Sequence, residues 1–233
     1  MSINFSAMIL AAGLGKRMLP LTKNLPKPLI DINGSTLLDN SINFLKKLGC
    51  NQIIINTHYQ NLKIENSIKK RNENNLITLI YEKQLLDTGG AVKNALPLFK
   101  NNYVIVVNSD VYWQEENLKD VKNLLFQFSK NFFPRLLLVD KKNAYGLVNN
   151  KGDFVLNGAK VKRYTDENHL IFFAGLQIFD LNLFTEYNQK KFSFNIVWDD
   201  LIKKNILSGM LMQSNWYHVG DIHGLRIAKE IYS

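Results

Sequence analysis

Apolar, β-branched runs of strand length alternate with stretches of helical periodicity in the first half of the chain. Thr36 and Asp39 have the spacing of a capping box, and Gly49 provides a stop signal for the first helix. Because strands that alternate with helices pair through crossover connections, this half predicts a parallel sheet flanked by helices. Strands are predicted at residues 5–10, 52–56, 77–81 and 103–107, and helices at residues 36–48, 62–71 and 91–96.

Beyond residue 134 the strand-like runs follow one another more closely. They lie at residues 136–139, 154–156, 161–164 and 171–179, and helical patterns return at residues 181–187, 198–204 and 222–231. A β-rich segment over the end of the parallel sheet would form the second wall of a pocket. We therefore predict one α/β domain over residues 1–233, with a Rossmann-like mixed, mostly parallel sheet and a β-rich portion from residue 135 onward.

Composition and charge narrow the class of protein. The chain has 233 residues, 46% of them hydrophobic, which is enough to bury a full core. The net charge is +9, from 29 Lys and Arg against 20 Asp and Glu. This charge would favour a phosphate-bearing ligand, and it would favour RNA or an anionic membrane surface equally well. The single cysteine, Cys50, excludes an intramolecular disulfide and favours a reducing, cytoplasmic compartment. No apolar stretch approaches the ~20 residues of a membrane helix, so we expect a soluble protein.

The densest chemical signal follows the first predicted strand. Gly13 and Gly15 let the backbone turn tightly and bring its N–H groups against an anion, and Lys16 and Arg17 follow at once. Lys27 stands between two prolines, which stiffen its segment. A lone Gly-x-Gly after a strand is a simple turn about as often as it is a binding loop. This one lacks the third glycine of a dinucleotide-binding fingerprint, and the sequence contains no P-loop motif. The segment as a whole predicts a grip for a polyphosphate.

A second signal lies at the end of the predicted strand 103–107, where the chain continues as Asn108, Ser109 and Asp110. Ligands bind at the carboxyl ends of parallel strands. One carboxylate beside cationic phosphate grips suits Mg²⁺, which takes one or two protein carboxylates together with phosphate oxygens and waters. We therefore predict Asp110 as a metal ligand, with a turn-capping role as the alternative.

Taken together, these motifs resemble the nucleotidyltransferases that make NDP-sugars from an NTP and a sugar 1-phosphate. Within that superfamily the chain is most similar to the N-acetylmuramate 1-phosphate uridylyltransferase-like group of cell-wall recycling enzymes. The resemblance implies a GT-A-like nucleotidyltransferase fold, with residues 1–134 binding the nucleotide, residues 135–233 binding the sugar phosphate, and neither a nucleic acid nor a membrane as partner. It is carried by residues 10–18, 26–29, 88–90 and 108–110, and it continues through residues 145–146, 152–154, 173–177, 198–199 and 216–220.

The resemblance also assigns roles to individual residues. It implies catalytic roles for Arg17 and Lys27 and makes Asp110 a ligand of the cofactor Mg²⁺. Gly146, Gly175 and Asp199 match positions that line the sugar phosphate pocket in relatives. The implied nucleotide-binding residues are Ala11, Ala12, Gly13, Gly15, Lys16, Arg17, Lys27, Gln84, Gly89 and Asn108.

The chain departs from the superfamily pattern near its C-terminus. Many relatives read Trp-x-Asp-Val-Gly-Thr there, and that Asp completes their metal site; this chain has His218 at that position and Asp221 in place of the Thr. Asp221 is our predicted second ligand, and His218 or a water molecule are the alternatives. The departure also supports a non-catalytic nucleotide-sugar-binding regulatory module, whereas retention of Lys27 and Asp110 favours an enzyme. We expect UTP and N-acetylmuramate 1-phosphate as substrates, with a mannose-1-phosphate guanylyltransferase or another hexose-1-phosphate nucleotidyltransferase as the alternative.

Overall fold

A computed structural model of the chain describes residues 4–73, 75–148, 151–165 and 169–231. Its α-helices within these ranges are α1 (Leu37–Lys47), α2 (Asn61–Lys69), α3 (Asp87–Ala95), α4 (Asn117–Asn131), α5 (Phe194–Lys203) and α6 (Ile222–Glu230). Its strands are β1 (Ser6–Leu10), β2 (Asp31–Ile32), β3 (Ser35–Thr36), β4 (Ile53–Thr57), β5 (Ile77–Tyr81), β6 (Tyr103–Asn108), β7 (Val111–Tyr112), β8 (Arg135–Asp140), β9 (Ala144–Tyr145), β10 (Phe154–Asn157), β11 (Lys160–Arg163), β12 (Ile171–Asp180), β13 (Ser208–Leu211) and β14 (Trp216–His218). Among the described residues, no helix combines the length and the apolar composition that a membrane span requires.

A nine-stranded mixed sheet in the order β10-β11-β13-β8-β12-β6-β1-β4-β5 forms the centre of the molecule. Strands β6, β1, β4 and β5 pair in parallel, as the alternation of strands and helices predicted. Strand β12 runs antiparallel to both β6 and β8 and joins the parallel part to the β-rich part of the sheet. The expected α/β mixed sheet flanked by helices is confirmed, with parallel pairing concentrated in the first half of the chain.

The central strands are apolar along their whole length because both of their faces are covered. On β6, Ile105 and Val107 belong to the core between the sheet and helices α1, α2 and α4, whereas Val104 and Val106 face the core formed with α3 and α5. Successive side chains of a strand point to opposite faces, so a strand covered on both sides needs a continuous apolar run. This burial fixes β6, and with it the polar residues that follow its carboxyl end.

The cap and the stop signal that the sequence predicted for the first helix agree with the structure of α1. Thr36 Oγ1 accepts a hydrogen bond from the Asp39 N–H at 3.0 Å, and α1 ends before Gly49, which has a φ of +86°. Three expectations need correction. The helix expected at residues 91–96 spans Asp87–Ala95. Residues 181–186 form a 3₁₀-helix, and α5 begins at Phe194, four residues earlier than predicted, because Ser193 caps it. The sequence pattern also missed β13 of the central sheet, the short pair β2 and β3, and strands β7, β14 and β9, which form a separate three-stranded sheet.

The start of α3 packs directly on the segment that precedes α5. The Gly90 N–H donates to the Phe192 carbonyl at 2.9 Å, and the Phe194 N–H donates to Thr88 Oγ1 at 2.9 Å. A Cβ on Gly90 would lie 2.5 Å from the Lys190 carbonyl oxygen, and one on Gly89 would lie 2.5 Å from the Phe192 ring. Both glycines therefore permit a close approach of two backbone segments from different halves of the chain.

We predict that Gly90→Ala lowers the free energy of unfolding by about 1–3 kcal/mol, because the added methyl group overpacks a backbone contact. An unobstructed Gly→Ala change inside a helix would stabilise the protein by about 1 kcal/mol, so the sign of the effect is diagnostic. Urea denaturation measures it. Gly13→Ala is the control, since a Cβ at Gly13 meets nothing within 4 Å. A Gly90→Ala protein as stable as the wild type would contradict the packing described.

Candidate active site

The glycine-rich loop leaves the carboxyl end of β1 and enters a 3₁₀ turn at Lys16–Met18. Gly15 has a φ of +64°, which favours glycine, and a Cβ there would lie 3.0 Å from Thr22 Cγ2. Thr22 Oγ1 donates a hydrogen bond to the Gly15 carbonyl at 2.8 Å, so the loop is closed onto the turn that follows it. The loop borders a cavity at this edge of the sheet.

This first cavity has a volume of about 620 Å³ and lies at the carboxyl ends of β1, β4, β5 and β6. Its predicted nucleotide-binding residues are Ala12, Gly13, Gly15, Lys16, Arg17, Lys27 and Asn108, and Asp110 borders it too. Three other predicted residues are absent from its lining. The Ala11 N–H is turned to Asn56 Oδ1 at 2.9 Å, Gln84 is exposed between the lining residues Glu82 and Leu85, and Gly89 packs under Phe192.

Lys27 and Asp110 form an ion pair at the floor of this cavity. Lys27 Nζ lies 2.9 Å from Asp110 Oδ2 and 3.5 Å from the Gly220 carbonyl oxygen, and the two side chains are 11% and 22% exposed. Burial by itself would raise the pKa of the Asp110 carboxyl, but the Lys27 ammonium and the His218 ring outweigh it and hold the pKa well below its usual range. Asp110 is therefore a fixed negative charge at the end of β6.

His218 also faces Asp110, whereas no described contact joins Asp221 to Asp110. The distance from His218 Nε2 to Asp110 Oδ2 is 3.6 Å. Asp221 caps helix α6 instead, because its Oδ1 accepts a hydrogen bond from the Gly224 N–H at 2.9 Å, and it lines neither of the two cavities described here. Asp221 therefore caps a helix in this structure, and its role as the second ligand beside Asp110 stays a prediction.

A second cavity of about 310 Å³ adjoins the first and shares Arg17, Asn108 and Asp110 with it. Gly175, predicted for the sugar phosphate pocket, lines this second cavity and has a φ of +76°. Gly146 and Asp199 do not line it. Gly146 packs against the His218 carbonyl, and the Asp199 carboxylate accepts a hydrogen bond from the Nε of the lining residue Arg163 at 2.7 Å.

Sequence reasoning missed two pairs of residues in these cavities. In the first, Asn56 Nδ2 donates to Glu82 Oε1 at 2.8 Å, and the Leu86 N–H donates to Glu82 Oε2 at 3.1 Å. In the second, Asp153 and Arg163 both line the wall, and burial raises the pKa of Asp153 against the opposing effect of the Phe173 N–H and of Arg163. Asn56 and Glu82 stand at the ends of predicted strands, which is the same signal that pointed to Asp110.

Comparison with known proteins decides the family. A family model described as nucleotidyl transferase matches residues 6–231 of the chain. This chain belongs to the nucleotidyl transferase family. The resemblance seen in the sequence motifs is confirmed by a match that spans both halves of the sheet and both cavities.

Individual members of the family are similar over nearly the whole chain. The N-acetylmuramate alpha-1-phosphate uridylyltransferase of Caulobacter vibrioides is 29% identical over 222 residues, which are 92% of this chain and 91% of that one. The D-glycero-alpha-D-manno-heptose 1-phosphate guanylyltransferase of Aneurinibacillus thermoaerophilus is 28% identical over 207 residues, or 86% and 85% of the two chains. The crystal structure of HddC from Yersinia pseudotuberculosis, complexed with GMP-PN, superimposes with a TM-score of 0.79 at 24% identity and covers 99% of this chain and 100% of that chain. The nucleotidyltransferase fold implied by the sequence is confirmed.

The hydrogen bonds accepted by the Glu82 carboxylate lead to a prediction about the stability of this protein. Because Asn56 Oδ1 already accepts from the Ala11 N–H, the Asn56 amide must present a donor to Glu82, and Leu86 presents a second. In Glu82→Gln one of the two donors would face the new NH₂ group, so we expect the free energy of unfolding to fall by about 1–3 kcal/mol. Urea denaturation tests this, with the exposed Glu116→Gln as control. Equal stability of the two variants would show that the carboxylate is not needed.

Proposed function

We propose that this protein transfers a nucleotidyl group from an NTP to a sugar 1-phosphate and releases pyrophosphate. The observation that carries the proposal is that Arg17 and Asp110 line both adjoining cavities, with Lys27 bonded to Asp110. An NTP in the first cavity and a sugar 1-phosphate in the second would then meet beside these three charged side chains. Family membership supports the same reaction.

The chemistry requires positioning and charge neutralisation more than proton transfer. An oxygen of the sugar 1-phosphate is anionic at neutral pH and attacks the α-phosphorus of the NTP without a general base. A bond forms between that oxygen and the α-phosphorus, and the bond from the α-phosphorus to the bridging oxygen breaks, so that pyrophosphate leaves with the electron pair. Two anions must be brought into line, and Lys27 and Arg17 are placed to offset their charge.

A divalent cation fits the residues present at Asp110. Lys27 Nζ and His218 Nε2 both approach Oδ2, so Oδ1 carries neither of these contacts. One carboxylate oxygen with phosphate oxygens and waters is an ordinary set of ligands for Mg²⁺. We propose that Asp110 holds Mg²⁺, which would supply charge compensation on the triphosphate. In the described ranges no group of three or more His, Cys, Asp or Glu side chains offers a separate site.

UTP and N-acetylmuramate 1-phosphate are the proposed substrates. Uridylyltransferases named for this acceptor, from Caulobacter vibrioides and Neisseria meningitidis, are each 29% identical over most of the chain. Guanylyltransferases named for a heptose 1-phosphate, at 28% identity, support GTP with a hexose or heptose 1-phosphate as the second candidate. A reaction in cell-wall recycling and a cytoplasmic location follow as part of the first proposal, and the single cysteine is consistent with that compartment.

Pyrophosphate release over a matrix of four NTPs and several sugar 1-phosphates separates these candidates. The proposal predicts the highest kcat/KM for UTP with N-acetylmuramate 1-phosphate. A maximum for GTP with a mannose or heptose phosphate would select the second candidate. Binding of NDP-sugars without release of pyrophosphate from any pair would instead identify a regulatory module.

We predict that Lys27→Ala and Asp110→Ala each fold but lose about 10²–10³ in kcat, because each removes a charge positioned at the transferring phosphate. The same pyrophosphate assay measures the loss. The matched control is Lys119→Ala, which removes an exposed lysine from helix α4, outside both cavities. Circular dichroism checks that the variants are folded. Full activity in either variant would overturn the assignment.

A further inference from the structure

The residue at position 218 marks a difference between this chain and the superfamily pattern, in which an aspartate completes the metal site. His218 ends strand β14, its side chain is 14% exposed, and its Nε2 lies 3.6 Å from Asp110 Oδ2. The ring is stacked on Trp216, with centroids 5.4 Å apart and planes inclined by 12°. A histidine ring therefore lies directly beside Asp110.

Three glycines hold this histidine in one orientation. A Cβ on Gly220 would lie 2.2 Å from His218 Cε1, and a Cβ on Gly146 or Gly224 would lie 2.2 or 2.1 Å from the His218 carbonyl oxygen. A side chain at any of these three positions would collide with His218, so the glycines permit the close packing around it. Together with the stacking on Trp216, this packing keeps Nε2 on the side of Asp110.

The surroundings of the two ring nitrogens indicate which one carries the proton. His218 Nδ1 is buried and has no hydrogen-bond partner among the residues that the structure describes. An ionised carboxylate only accepts hydrogen bonds, so Nε2, which faces Asp110, is the nitrogen that gains from bearing the proton. A histidine that binds a metal usually donates its other N–H to a partner, and Nδ1 has none in the described structure.

We propose that His218, whose Nε2 faces Asp110 Oδ2 at 3.6 Å, is a positioning residue for that carboxylate, and that the metal site of this chain has one protein carboxylate. The inference rests on the proposed function, because it assigns Asp110 to the metal. Lys27 and His218 together restrain Oδ2 and leave Oδ1 for the cation. With a single protein ligand, the divalent cation is bound well only together with the phosphates of the NTP.

The first test measures Mn²⁺ binding to the nucleotide-free protein by isothermal titration calorimetry. Wild type and His218→Gln, whose amide Nε2 can replace the imidazole donor, are expected to bind Mn²⁺ weakly and alike. His218→Asp adds the second carboxylate and is expected to bind Mn²⁺ at least about tenfold more tightly. His223→Asp, an exposed change on α6 with the same alteration of charge, is the control. Unchanged affinity in a folded His218→Asp protein would overturn the inference.

A second test does not depend on whether His218→Asp folds. Addition of Mn²⁺ raises the affinity for a non-hydrolysable UTP analogue, and this gain is measured by equilibrium dialysis. We expect His218→Ala to reduce the gain by about 10- to 100-fold, as loss of a group that orients a metal ligand does, and His218→Gln to retain it. A loss in His218→Gln equal to that in His218→Ala would identify the histidine as a ligand and overturn the inference. If no NTP and acceptor pair releases pyrophosphate while the expected Mn²⁺ pattern is found, the proposed function fails and this inference stands.

Discussion

The salt bridge between Lys27 and Asp110 is the interaction on which the rest of the site depends. It joins a proline-flanked turn near the start of the chain to the carboxyl end of β6, and Lys27 also reaches the Gly220 carbonyl near the C-terminus. A buried charge is tolerated only when it is paired. Three distant segments are thus brought to one point, where the two cavities meet. A triphosphate and its cation would offer both charged groups new partners at that point.

The sequence predicted well the features that depend on neighbouring residues. The cap formed by Thr36, the left-handed Gly15 and the buried strand before Asp110 all follow from local chemistry, and the structure contains each of them. Because ligands bind at the carboxyl ends of parallel strands, the sequence also predicted that the glycine loop and Asp110 would lie at the same edge of the sheet. The sequence also placed Lys27 in the predicted polyphosphate grip, and the family motifs added its catalytic role, which no local pattern could supply.

Contacts between distant segments could not be predicted from spacing. Nothing in the sequence indicates that Asn56 pairs with Glu82 or that Asp199 reaches the second cavity only through Arg163. The short strands β7, β9 and β14 carry too few residues for a periodic signal, and they pair between segments that are distant in the sequence. The sequence also could not distinguish His218 from Asp221. In the structure His218 faces Asp110, whereas Asp221 caps helix α6.

The most direct measurement of the central claim is a crystal structure of the wild-type protein with Mn²⁺ and a non-hydrolysable NTP analogue, with anomalous scattering used to locate the metal. We expect an Mn²⁺ peak bonded to Asp110 Oδ1 and to phosphate oxygens. We also expect the triphosphate to lie against residues 12–17, with Lys27 Nζ on a phosphate oxygen. A metal peak remote from Asp110, or a triphosphate that does not contact the glycine loop, would contradict the proposed site.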